Sequence, residues 1–131
     1  MRLESDVKET QSLKAVFKSF KYANEGILTS IKIGRNIKVH YLAATITIGL
    51  GLFFRISTIE FMILLLVIMQ VICLEMINTA IEKVVDLATK ERNVYAKIAK
   101  DVAAGAVLIS AIIAIVIGII IFMPYVKTLV I

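Results

Sequence analysis

The chain has 131 residues, of which 60% are hydrophobic, and a formal net charge of +5. Soluble domains run at about 45–50% apolar residues, so the excess faces something other than water. One soluble core cannot account for three long apolar runs separated by short polar segments. The basic residues flank these runs, which points to a membrane surface and away from nucleic acid. Cys73 is the single cysteine and excludes an intramolecular disulfide. Met1 to Thr10 is polar and lacks an apolar stretch, so no cleavable signal peptide is expected there.

In chain order, residues 1–36 come first. Leu13, Val16, Phe17, Phe20, Ile27, Leu28 and Ile31 fall near one face at helical spacing, with Lys14, Lys18 and Lys21 on the other. This pattern suits an amphipathic helix lying in the membrane interface; the alternative is a helix packed on a soluble partner. Span one, about Val39–Phe54 within 38–55, is short and closed by Arg55. A crossing needs roughly 20 apolar residues, so this span is expected to borrow from Lys38 or His40, whose side chains can snorkel. A tight turn near Ser57-Thr58 follows. Span two runs from about Ile56 to Ile81 within 56–82, with Glu60 near its start and Glu75 well inside. Span three, about Val102–Val126 within 101–126, carries no charge, and Pro124 and Tyr125 mark its outer end. The whole is read as one all-α membrane domain.

Arg2, Lys8, Lys14, Lys18, Lys21, Lys32, Arg35 and Lys38 precede span one, and Lys83, Lys90, Arg92, Lys97 and Lys100 separate spans two and three. The first loop offers only Arg55 and the tail only Lys127. The excess of bases predicts a cytoplasmic N-terminus, a cytoplasmic 83–100 loop and an outside C-terminus.

Glu75 stands out. A charged residue at a helix centre costs about 2.5–3.5 kcal/mol on insertion scales and usually faces a bundle interior or polar cavity. Asn78, Glu82 and Asp86 follow it at helical spacing, so the four share one stripe, with Thr79 at its border. Closely spaced carboxylates repel unless a proton or cation intervenes. Hard oxygens suit Mg²⁺, which binds one or two carboxylates together with substrate phosphates. Such a ladder can hold a Mg-nucleotide at its shallow end and a lipid hydroxyl at its deep end. The structural alternative is a buried carboxylate bonded to a neighbouring helix, with Glu82 and Asp86 solvated at a helix end.

Other polar features have plain readings as well. Glu25 is placed to pair with Lys21 one turn earlier, and Lys97 with Asp101 at the start of span three. His40, the only histidine, has no Cys or His partner and reads as an interface residue. No phosphate-binding glycine loop is present, and Gly49-Leu50-Gly51 lacks the third glycine of a dinucleotide fingerprint. No protein-kinase signature is present either. Any phosphate handling must use scattered charges.

The run Glu75-Met76-Ile77-Asn78-Thr79-Ala80-Ile81-Glu82-Lys83-Val84-Val85-Asp86 resembles the signature of the prokaryotic diacylglycerol kinase family. Ala99-Lys100-Asp101-Val102-Ala103-Ala104-Gly105-Ala106-Val107 resembles its second motif. Ala23-Asn24-Glu25-Gly26 and Arg35-Asn36 through His40 resemble its N-terminal segment, and the similarity extends from about Phe17 to Pro124. The resemblance implies a surface helix plus three transmembrane helices, assembled as a homotrimer in the bacterial plasma membrane. It implies transfer of the γ-phosphoryl group of Mg-ATP to a lipid alcohol. It would make Glu75 the general base on the lipid hydroxyl and Glu25 and Glu82 the Mg²⁺ and ATP ligands. Asn78, Asp86, Lys100 and Asp101 would position phosphates or support the site. Phosphoryl transfer suits such a set, being mostly positioning and charge neutralisation. One departure stands out: where many members carry Glu before the Arg-Asn pair, this chain has Gly34. Gly34 bears on lipid or ATP binding and is also placed to end the surface helix.

The Asn-Glu-Gly start, the Arg-Asn-x-x-x-His stretch and the Lys-Asp-x-Ala-Ala-Gly-Ala-Val run resemble the Gram-positive, undecaprenol-using branch more than the diacylglycerol-using one. Diacylglycerol is the alternative substrate. A reading from a different class is a non-catalytic membrane subunit whose carboxylates form a proton or cation path.

Overall fold

A computed structural model of the chain describes residues 2–34 and 36–130, with side chains for 14–34 and 36–128. Arg35, part of the N-terminal motif, and the side chain of Leu13 lie outside the described residues. Four helices follow one another: α1 (Arg2–Ile33), α2 (Ile37–Phe54), α3 (Thr58–Ala88) and α4 (Val94–Val130). The described residues hold no strand.

Two units are distinguished, 1–33 and 34–131. The first is α1, whose 32 residues are helical throughout. Phe17, Phe20 and Leu28 are exposed on it, as are Lys14, Lys18 and Lys21. The helix ends at Ile33, directly before Gly34, where the sequence places its break.

The second unit contains three helices long and apolar enough to cross a membrane. Its α2 begins at Ile37, upstream of the apolar run, and so gains the length that span one alone lacks. It ends in a tight cap: Arg55 takes the left-handed conformation (φ 52°, ψ 45°), the Arg55 N–H donates to Leu52 O, and the Ile56 N–H donates to Gly51 O. This is a Schellman closure, a position that usually takes glycine because a side chain is disfavoured there. Gly51 lets the turn close, since a Cβ on it would meet Ile56 Cδ1 at 3.2 Å and the Phe61 ring at 3.3 Å.

The next helix starts with a capping box. Ser57 Oγ accepts from the Glu60 N–H, and the Glu60 carboxylate accepts from the Ser57 N–H at 2.8 Å, satisfying two otherwise orphaned donors. The expected turn at Ser57-Thr58 is thus the start of α3. Its 31 residues reach well past Ile81: about 46 Å at 1.5 Å per residue, against a hydrocarbon core of about 30 Å. The charged residues that end the apolar run are good helix formers, so helix outlasts hydrophobicity. Asn93 then caps α4, its Oδ1 accepting from the Tyr95 and Ala96 N–H groups at 2.8 and 3.2 Å.

Most of the packing is between α3 and α4. α2 leans on α3 and scarcely meets α4. Ile56, Leu64 and Ile121 form a buried cluster near the α2–α3 turn, flanked by Phe54, Phe122 and Tyr125. Large apolar side chains elsewhere, among them Leu66, Ile109 and Ile120, point outward, as expected where the solvent is hydrocarbon.

Candidate active site

The stripe read from the sequence lies on α3. Glu75 is 2% exposed, and Asn78 and Thr79 are buried beside it. Glu82 is half-buried and Asp86 exposed, so the stripe grades from interior to surface as the helix leaves the apolar layer. The Asn78 Nδ2 donates to Glu82 Oε1 at 3.4 Å. Among the described residues, Glu75 Oε2 and Asn78 Oδ1 are both buried without a hydrogen-bond partner. A buried polar group left unpaired is costly, and a carboxylate more so. Native proteins keep such a group where a ligand or partner completes it.

Beyond the buried stretch, α3 and α4 meet through charge. The Lys100 Nζ donates to Asp86 Oδ1 at 2.6 Å, and Lys83 lies 3.9 Å from the same carboxylate. The Lys100 ammonium holds the Asp86 carboxyl, which lies past the apolar stretch, below the usual carboxylate range. Lys97 pairs with Asp101 one turn on, as their spacing predicts. These side chains and the α3–α4 loop surround a cleft of about 570 Å³, lined by Asp86, Arg92, Lys97, Lys100 and Asp101 among others. Ammonium and guanidinium groups over a solvent-open cleft suit a polyphosphate.

The structure therefore brings Asp86, Lys100 and Asp101 around one cleft and ties Asn78 to Glu82 on the helix leading from it to Glu75. Glu25 belongs to α1, where it is exposed and 3.9 Å from Lys21, the pairing their spacing predicts. Among the described residues, no three His, Cys, Asp or Glu side chains converge as a metal cluster. Mg²⁺ needs fewer, one or two carboxylates with substrate phosphates; Glu82 and the unpartnered Asn78 Oδ1 are neighbouring hard oxygens of the right kind.

Two features escaped the sequence reading. His40, on α2, lies within electrostatic reach of Glu75, although its sequence context reads only as an interface residue. Tyr125 Oη donates to Glu60 Oε2 at 2.6 Å across 65 residues of chain. Only the antiparallel register of the helices could have revealed the Tyr125–Glu60 hydrogen bond or brought His40 to the neighbourhood of Glu75.

The family model for prokaryotic diacylglycerol kinase matches residues 21–122. The chain belongs to the prokaryotic diacylglycerol kinase family. The match takes in the α3 stripe and the Lys100-Asp101 motif, and it sets aside the reading as a non-catalytic membrane subunit. The chain is a multi-pass membrane lipid kinase, and a kinase requires a nucleotide co-substrate. The undecaprenol kinase of Bacillus subtilis is 44% identical over 112 residues, covering 86% of this chain and 91% of its own. The diacylglycerol kinase of Synechocystis is 39% identical over 101 residues (76% of this chain, 58% of that one). That of Haemophilus influenzae is 31% identical over 102 residues (78% and 86%).

Proposed function

We propose that this kinase transfers the γ-phosphoryl group of ATP to the hydroxyl of undecaprenol, with Glu75 as general base. The observation that carries the catalytic reading is the Glu75 carboxylate, buried and with Oε2 unpartnered. Such a group can accept the proton of a lipid hydroxyl delivered from the bilayer. The alcohol oxygen then bonds to the γ-phosphorus, the β–γ bridging bond breaks, ADP leaves and Glu75 holds the proton. General-base catalysis contributes about 10²–10⁴-fold in rate. Glu82 and the Asn78 amide would hold Mg²⁺, which would neutralise phosphate charge when bound; the family resemblance implies Glu25 as a further ligand. Asp86, Lys100 and Asp101 position the phosphates from the cleft. Positioning and charge neutralisation are most of what phosphoryl transfer asks of a protein.

The preference for undecaprenol rests on the 44% identity to the Bacillus subtilis undecaprenol kinase across nearly the full length of both chains. Diacylglycerol stays the second reading because the two other relatives bear that name. The bases before α2 and in the 83–100 loop support a cytoplasmic N-terminus and active site and an outside C-terminus. α1, whose apolar Phe17, Phe20 and Leu28 fall near one face beside its lysines, lies in the interface, and three copies assemble as a homotrimer, as the family resemblance implies.

The deciding assay offers purified protein Mg-ATP with undecaprenol or diacylglycerol in parallel detergent micelles. Undecaprenyl phosphate as the faster product is expected. Faster phosphatidic acid formation would overturn the substrate, and no lipid product from either would overturn the reading.

A further inference from the structure

Because α2 and α4 both pack on α3 but scarcely on each other, a groove of about 520 Å³ opens between them. Ile68 and Ile72 of α3 lie on its floor, His40 and Ala43 of α2 on one wall, and Ala114 and Gly118 of α4 on the other. Among the described residues, His40 is the only titratable one that lines it. The groove is thus polar at one end and mostly hydrocarbon along the rest, where the Thr47 hydroxyl is tied back to Ala43 O at 2.7 Å. Its polar end adjoins the reaction site: Ile72 precedes Glu75 by one helical turn, and His40 lies within electrostatic reach of that carboxylate.

The helix register fixes how far the groove runs. α4 is antiparallel to α3, with Lys100 against Asp86 near one end and Ile121 clustered with Leu64 near the other. Interpolation places Gly118 level with Val67 and Ile68, two turns or about 10 Å from Glu75 along α3. A Cβ at Gly118 would meet nothing within 4 Å, so its missing side chain leaves open space and serves no close helix contact. In a bilayer an apolar lining supplies little hydrophobic driving force. What such a groove can supply is shape, holding one chain in line with the carboxylate.

We propose that this groove seats the first isoprene units of the alcohol substrate, its hydroxyl at Glu75 and its chain running over Ile72 and Ile68 past Gly118. The proposal rests on the lipid-kinase reading of Glu75. It commits to a lipid chain over a helix of a second copy because the groove pairs one ionisable end, beside an unpartnered carboxylate, with a largely apolar remainder whose one hydroxyl, Thr47, is already bonded to its own helix. That is the layout of a long-chain alcohol. His40 is then a positioning residue at the mouth of the groove.

Gly118→Leu fills the groove from open space, and a short prenyl alcohol such as geraniol ends near that level. With overpacking of ordinary magnitude, kcat/KM for undecaprenol should fall about tenfold or more while that for geraniol changes less than about twofold. Gly118→Ala should give a smaller change in the same direction, and circular dichroism should show both variants as helical as the wild type. An equal loss for both alcohols, or no loss for either, would overturn the proposal. So would a changed oligomeric state with both alcohols slowed alike, which would give the groove to a second copy. Photolabelling supplies a readout independent of turnover. A prenyl alcohol bearing a diazirine on its chain should label peptides containing Ile72 and Ala114, with undecaprenol competing. Labelling there without phosphorylation by the wild type supports the groove and sinks the kinase reading of Glu75. Phosphorylation with labelling confined to the outward surfaces of α4 does the reverse.

Discussion

Glu60 and Glu75 are the same residue type on the same helix, in the first turn and deep in the apolar stretch, and the fold treats them in opposite ways. Glu60 is satisfied: Oε2 alone accepts from the Ser57 N–H, the Ser57 hydroxyl and the Tyr125 hydroxyl at 2.8, 2.7 and 2.6 Å. Glu75 is more deeply buried, yet Oε2 has no partner. A carboxylate with all its partners present holds elements together. One that is buried and left open calls for a completing group, which the proposed function takes to be the lipid hydroxyl.

The sharpest way to break this contrast is Glu75→Gln. Phosphorylation of either lipid should fall by at least about 10²-fold, while helix content and thermal unfolding in detergent stay close to the wild type. Near-normal turnover would make Glu75 structural, like Glu60. Next in size is Lys100→Met, which removes the ammonium from Asp86 and from the cleft. The KM for ATP should rise several-fold with only a small change in unfolding temperature, since the pair is about half exposed on both sides and exposed pairs stabilise little. A large loss of stability with an unchanged ATP response would instead assign the pair to helix packing.

Tyr125→Phe addresses the other end of the bundle. It removes one donor from Glu60 and should lower the unfolding temperature by a few degrees while leaving kcat near the wild-type value. A strong loss of activity would mean that the two ends are coupled. The smallest effect is expected at the turn between them: Arg55→Gly relieves the left-handed strain at the cap and should raise stability by no more than about 1 kcal/mol, measured as a shift in the denaturant midpoint. A clear loss of stability there would show that the arginine side chain holds the turn.

How much of this contrast can be read from the sequence depends on the range of each interaction. The spans, the end of α1 before Gly34, the turn at Ser57 and the stripe from Glu75 to Asp86 are local, set by composition and helical spacing. The Lys21–Glu25 and Lys97–Asp101 pairs are legible for the same reason. Lys100 and Asp86 were recognisable one at a time as members of a motif, but their contact depends on how α4 slides along α3. Tyr125 on Glu60 depends on that register too, His40 near Glu75 depends on how α2 meets α3, and no spacing rule reaches across either. From the sequence, then, Glu75 stands out by its depth while Glu60 lies near the start of its span, and only packing shows which of them is satisfied and which left open.

The turn between α2 and α3 also bears on how the chain enters a membrane. Only Arg55, Ile56 and Ser57 separate the two helices, and Arg55 is the only base between them. Whichever way the pair inserts, it can go in as a helical hairpin with almost no polar cargo to translocate. Its apolar neighbours can then carry Glu75 to depth, a position hard to reach for a lone segment bearing a central carboxylate.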